Sequence, residues 1–491
     1  MTELVLVLDA GTTSTRAMLF DRAGAVRGLA QRPITQHYPQ PGWVEHDAAE
    51  IRDLTLAVAR EAVTAAGGAA RIAALGITNQ RETLVTWDRA TGQPLARAVV
   101  WQDRRSAAIC ERLRGEGAEA EVQAKTGLLL DPYFSATKLA WLIEHEPAVT
   151  DAARDGRLAA GTVESWLVHA LTGGRTHLTD ASNASRTALL PLAGANWDAD
   201  LCALFAVPPA ALPRVVDCAG DFGATGAGLL SSGSIAIRGL AGDQQAATIG
   251  QGCLAPGDVK ATFGTGAFIL AATGAAHPIS RNRLLTTVLE QHGGARSYAL
   301  EGSVFVAGSL IQWLRDSLGV IATAAETARL AASVPDSGGV VLVPALSGLG
   351  APHWRPEARG VLSGISFATG PAQLARAALE AMAHQSHDLM RAFAADGAPW
   401  ASLRIDGGMS ANDWLAQDLA DVLDLVVERP ASVETTALGA GMLAAVGAGW
   451  FDDLAQAAAM MRGPVERFEP RMTAATRDER LARWGEAMAR V

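Results

Sequence analysis

The sequence predicts an α/β protein built from two related domains. Short apolar runs bounded by Gly, Asp and Ser alternate with stretches of helical periodicity. A strand–Gly/Thr turn–strand unit near the N-terminus recurs in the middle of the chain. The length, 491 residues, exceeds what one hydrophobic core ordinarily serves.

Residues 4–8 are an apolar run ending at Asp9 and read as a buried strand. A Gly/Thr/Ser turn follows at 11–15, then a second strand at 17–20, a turn signal at 21–24 and a third strand at 26–31. Residues 71–78 end as a strand that runs into Asn79, Gln80, Arg81 and Glu82. The middle copy has a strand at 259–263, the turn Gly264-Thr265-Gly266 and a strand at 268–272. The cluster Gly252, Pro256 and Gly257 places the boundary between them, giving domains 1–251 and 252–491. Beyond lie an amphipathic helix at 371–395, a short strand at 403–406, a turn at 407–410 and a helix at 412–423.

Hydrophobic residues make up 49% and charged residues 19%, as in ordinary globular enzymes. A net charge of −10 disfavours nucleic acid or an anionic membrane as the main partner. Cys110, Cys202, Cys218 and Cys253 form no Cys-x-x-Cys pair and read as reduced thiols. The N-terminus has no basic leader and no apolar run is long enough to span a bilayer, so the expectation is a cytoplasmic protein without membrane insertion.

Two turns suit phosphate. In DAGTTSTR (9–16), Gly11 lets the backbone approach a ligand, and backbone N–H groups with the hydroxyls of Thr12, Thr13 and Ser14 can donate to phosphate oxygens. Arg16 adds a cationic donor, and Asp9 can hold Mg²⁺ through water. The same residues also suit a plain hairpin turn. FGTGA (263–267) is the weaker copy, and no Gly-Lys-Ser/Thr follows either turn, which argues against a P-loop. Asp243, between Gly242 and Gln244 at a helix start, is a candidate general base for an alcohol nucleophile; the position equally suits a helix N-cap. Arg81 and Glu82 offer a donor fork beside an acceptor, and Trp101 and Tyr133 offer ring faces, a set matched to a polyol. His384 and His387 lie three apart on the long helix without a third ligand in sequence.

Together these strings resemble the glycerol kinases, members of the FGGY carbohydrate kinases within the actin-like ATPase superfamily. The resemblance runs from Asp9 to about Gly449 and includes DAGTTSTR, PGWVEHD (41–47), GITNQRET (76–83), WQDRR (101–105), DPYFSATK (131–138), TDASNASRT (179–187), AGDQQAA (241–247), FGTGAF (263–268), ALEGSVFVAGSLIQWLRD (299–316), GLGAPHW (348–354) and DGGMSAN (406–412). It implies two ribonuclease-H-like domains flanking a deep catalytic cleft, ATP and Mg²⁺ as cofactors, and transfer of the ATP γ-phosphate to glycerol. It implies a polyol site of Arg81, Glu82, Trp101, Tyr133, Asp243, Gln244 and Phe268, with Asp243 as base. Thr12, Thr13, Ser14, Arg16 and Thr265 would meet the phosphates, and Gly308, Gln312, Gly408 and Asn412 the rest of the nucleotide. A homodimer or homotetramer is usual in such kinases. Ala10, Phe263 and Ala267 stand where Gln, Tyr and Cys are common. Relatives inhibited by fructose 1,6-bisphosphate carry a Gly/Arg loop where this chain reads SSGSIAI (231–237), implying weak or absent inhibition. The alternatives are a kinase for another polyol or sugar, such as erythritol, xylulose or gluconate, and a non-catalytic ATP-gated sensor.

Overall fold

A computed structural model describes residues 3–355 and 357–491. The first sheet holds β1 (Leu4–Ala10), β2 (Ser14–Phe20), β3 (Val26–Pro33), β4 (Ile72–Asn79) and β5 (Ile237–Gly242), in the order β5-β4-β1-β2-β3. β2 and β3 are antiparallel, while β4 and β5 run parallel to β1. The second sheet holds β6 (Asp258–Phe263), β7 (Ala267–Gly274), β8 (Leu285–His292), β9 (Ala295–Val304), β10 (Ser402–Asp406), β11 (Val427–Pro430) and β12 (Val465–Phe468), in the order β8-β9-β7-β6-β10-β11-β12. Its inner run β11-β10-β6-β7-β9 repeats the first sheet's order and directions. The recurring turn unit therefore marks two copies of one topology.

Strands buried on both faces read as continuous apolar runs, and β1 is buried throughout. Side chains alternate along it. Leu4, Leu6 and Leu8 pack with the helix Ala48–Ala66, and Val5 and Val7 pack with the helix Thr435–Gly447. In the second sheet Val259, Ala261 and Phe263 pack with the helix Pro371–Ala395, which has the bounds its periodicity predicts. Of the alternate residues of β6, Lys260 reaches Gln244 of the first half and Thr262 donates to Asp406 of the neighbouring β10.

The helix Thr435–Gly447 follows β11 of the second sheet yet packs on the first; Asp243–Gly250 follows β5 of the first and lies against it. The packing thus exchanges a helix across the expected division at 251/252. β2 starts at Ser14 rather than 17. Thr15 pairs with Ala10 and its hydroxyl bonds Thr55 at 2.9 Å, so the turn shrinks to 11–13, closed by Gly11 N–H to Ser14 O at 3.0 Å. Residues 45–46, 84–88, 98–99 and 158–162 form a smaller sheet in the first half. Among the described residues no helix is long and apolar enough to cross a membrane.

Candidate active site

β1, β4 and β5 are parallel and end level, with Ala10 opposite Asn79 and Asn79 opposite Gly242. Their carboxyl ends carry Asp9, then Arg81 and Glu82, then Asp243 to one edge of the sheet, where open α/β sheets bind ligands. Asp243 is the first residue of its helix, not the cap; Gly242 takes the cap position. A Cβ on Gly242 would stand 2.7 Å from Cγ of Arg81, so the missing side chain lets Arg81 lie beside Asp243.

Arg81 is buried among carboxylates. Its Nη1 donates to Glu301 Oε2 at 2.6 Å and its Nη2 to Glu301 Oε1 at 3.2 Å. Its Nε stands 3.3 Å from Asp243 Oδ1, which also accepts the Gln244 N–H at 2.7 Å. Arg186 donates from Nε to Glu82 Oε1 at 2.7 Å and from Nη2 to Glu301 Oε1 at 3.1 Å. Lys260, fully buried, donates to Gln244 Oε1 at 2.6 Å. Asp243 keeps 30% of its side-chain surface open. Burial pushes its carboxyl up to about 6, with Glu82 and Asp9 raising it and Arg81 and Lys260 opposing. Burial pulls the Lys260 ammonium below its ordinary range.

Three rings stand at the open side of these charges. Trp101 meets Tyr133 edge-on at 5.8 Å and Phe268 at 6.4 Å between centroids, so the second half contributes one wall. Trp101 Nε1 donates to Thr12 Oγ1 at 3.0 Å, tying the aromatic wall to the first Gly/Thr turn. Arg81 Nη2 reaches the Tyr133 hydroxyl at 3.4 Å. All seven residues assigned to a polyol site gather here, with Arg81 and Glu82 buried and the others half-exposed.

A cavity of about 530 Å³ opens in the second half, a volume suited to a nucleoside. Its lining includes Thr265, Gly308, Gln312, Gly408 and Asn412, all five second-half residues expected at a nucleotide. Gly308 N–H donates to Gly264 O at 2.8 Å, seating the helix Gly308–Asp316 on the second turn. Asn412 also caps the helix Asp413–Leu423, accepting from Leu415 N–H at 3.1 Å. In the first turn Thr13 is exposed and Ser14 Oγ accepts from Gln31 at 3.0 Å. Arg16 is engaged by two carboxylates, Asp9 at 2.5 Å and Glu434 at 2.6 Å, rather than standing free as a phosphate donor.

Residues 4–250 match the N-terminal domain, and residues 259–448 the C-terminal domain, of the FGGY family of carbohydrate kinases. The chain belongs to that family. It is 53% identical over 487 residues to a glycerol kinase of Rhodospirillum centenum, spanning 99% of this chain and 97% of that protein. It is 55% identical over 488 residues to a glycerol kinase of Aromatoleum aromaticum, spanning 99% and 98%. The crystal structure of Plasmodium falciparum glycerol kinase with ADP superposes with a TM-score of 0.94 at 32% identity, covering 100% of this chain and 98% of that one. A xylulose kinase from Rhodospirillum rubrum superposes at 0.87 with 28% identity over 99% and 98%.

Sequence reasoning missed four charged groups of this FGGY kinase: Arg186, Lys260, Glu301 and Glu434. Arg186 and Glu301 lie inside the quoted strings TDASNASRT and ALEGSVFVAG without an assigned role. A usable signal existed. Lys260 in VKATF and Glu301 in YALEG are lone charges within apolar strands, and buried charges demand partners. The two histidines of the long helix differ in setting. His384 is buried against Trp484, 5.2 Å between ring centroids, beside Arg480.

Proposed function

We propose that this ATP-dependent FGGY kinase transfers the γ-phosphoryl group of ATP to a terminal hydroxyl of glycerol, giving sn-glycerol 3-phosphate and ADP. The observation that carries this reading is Asp243: a half-open carboxylate raised to about 6, beside Arg81, at the mouth of an aromatic-walled polar pocket. Arg81, Glu82 and Gln244 supply donors and acceptors for hydroxyls, while Trp101, Tyr133 and Phe268 cover the CH faces.

In the reaction the glycerol oxygen bonds to the γ-phosphorus as the bond to the β–γ bridging oxygen breaks. That bridging oxygen leaves with its electron pair on ADP, and the hydroxyl proton passes to Asp243. Arg81 Nε and the Gln244 N–H hold Oδ1 and so orient the carboxylate. Thr12, Thr13, Ser14 and Thr265 donate to the phosphates, and Gly308, Gln312, Gly408 and Asn412 seat the nucleoside. Arg16 joins the phosphates by exchanging one of its carboxylates for them.

Asp9 suits Mg²⁺ held through water: it is a buried carboxylate on β1, next to the first Gly/Thr turn and paired with Arg16. When bound, the ion neutralises phosphate charge.

With γ-labelled ATP and glycerol, ADP and labelled glycerol 3-phosphate form in equal amounts; ADP without labelled glycerol 3-phosphate contradicts the reading. The pH profile follows from Asp243. Its carboxyl must be ionised to accept a proton, so kcat/KM for glycerol falls about tenfold per unit below about pH 6. A profile flat down to pH 5 removes Asp243 from that role.

A further inference from the structure

We infer that Glu301, on β9 of the second sheet, is a positioning residue that presets the polyol pocket by holding Arg81 directly and Glu82 through Arg186. This rests on the reading of that pocket as the polyol site.

Glu301 is 1% exposed and presents no surface to the pocket, so it acts through its neighbours. One carboxylate serves two guanidiniums. Oε2 accepts from Arg81 Nη1 at 2.6 Å, while Oε1 is shared by Arg81 Nη2 at 3.2 Å and Arg186 Nη2 at 3.1 Å. The two-point grip on Arg81 fixes the guanidinium plane as well as its place, as bidentate pairs do. With both Nη atoms engaged, Arg81 turns Nε toward Asp243 at 3.3 Å and keeps Nη2 within 3.4 Å of the Tyr133 hydroxyl.

The second branch runs to Glu82. Arg186 is fully buried and donates to Glu82 Oε1 at 2.7 Å. Glu82 has a φ of 60°, a left-handed conformation unusual for a side chain of this size and sustained only by surrounding contacts. Its carbonyl accepts from Ser135 Oγ at 3.1 Å and its carboxylate from Arg186, so both ends of the residue are held.

Burial alone would raise the Glu301 carboxyl. Arg186, Arg81 and Lys260 instead hold it down at about 2, so it stays charged in neutral solution. Arg81, Glu82 and Arg186 come from the first half of the chain and Glu301 from the second. The groups that grip the substrate hydroxyls are therefore registered against the sheet that carries the nucleotide turn. Polyol recognition and the relative seating of the halves are one mechanical unit.

The test is steady-state kinetics of Glu301→Gln and Glu301→Asp beside Trp101→Ala. A misplacement near 1 Å costs on the order of 10²-fold, so Glu301→Gln raises the glycerol KM roughly 10- to 100-fold while the ATP KM stays within about twofold. Glu301→Asp keeps the charge but is one methylene shorter; it raises the glycerol KM less, in the same direction, and carries the test if the Gln variant does not accumulate folded. An unchanged glycerol KM in a folded variant overturns the inference. So does an equal loss toward both substrates, which would mark a structural role only. If Trp101→Ala raises the glycerol KM and the Glu301 variants do not, the inference alone fails; if none of the three moves it, the polyol-site reading falls with it.

Discussion

Asp243→Asn lowers kcat by roughly 10²–10⁴-fold, the ordinary yield of a positioned general base. The amide keeps the size of the side chain and can still accept the Gln244 N–H, so the start of the helix Asp243–Gly250 is preserved. The substitution removes the ability to take a proton together with the negative charge that stands 3.3 Å from Arg81 Nε. The residues lining the 530 Å³ cavity belong to the second half, so ADP and ATP affinities stay near wild type. A calorimetric titration with nucleotide beside a turnover assay separates the two effects. Near-normal turnover in a folded Asp243→Asn protein would remove the base; loss of nucleotide binding would mean that the substitution disturbs the whole cleft.

Gly439→Ala destabilises the fold by about 3 kcal/mol or more. Two effects compete. Alanine in place of a mid-helix glycine contributes about 1 kcal/mol of helix propensity. Against that, a Cβ at Gly439 would stand 1.8 Å from the Ala246 carbonyl oxygen and 2.8 Å from Gly250 N. These are backbone atoms of the helix that begins with Asp243, so relief requires moving a helix rather than turning a side chain. Gly250 is the reciprocal contact, its Cβ falling 2.0 Å from Thr435 O. The steric term wins. The expected result is a clear drop in the thermal unfolding midpoint with a fall in kcat, because the helix carrying the base is the one displaced. An unfolding midpoint at or above wild type would mean that the two helices do not pack this closely.

The sheets were legible because they obey local rules. β1 is an apolar run closed by Asp9 and followed by a glycine turn, and a strand–glycine turn–strand unit returns at β6 and β7. The helix Pro371–Ala395 declares itself by period and by Pro371 at its first position. The polyol residues were legible as types that suit a polyol, and as a constellation through the family resemblance. What stayed hidden depends on distant pairing. Glu301 lies 220 residues from Arg81, and Arg16 lies 418 from Glu434. No local pattern joins them. The exchanged helix Thr435–Gly447 was hidden for a related reason. Its sequence TTALGAGMLAAVG carries no charge and announces burial, but nothing in it says which sheet it covers. The competing reading of Asp243 as a helix cap falls one step off, because a carboxylate before a helical run signals capping until the backbone shows Gly242 in that position.

ADP release by the purified protein, measured with Mg·ATP and in turn with glycerol, dihydroxyacetone, erythritol, xylulose and gluconate, tests the proposed reaction most directly. Glycerol should lead the series in kcat/KM by a wide margin, since a site built to pair particular hydroxyls discriminates strongly against other patterns. A lead by a larger sugar would contradict the assignment of Arg81, Glu82, Trp101 and Tyr133 to glycerol, and no release with any acceptor would contradict catalysis itself.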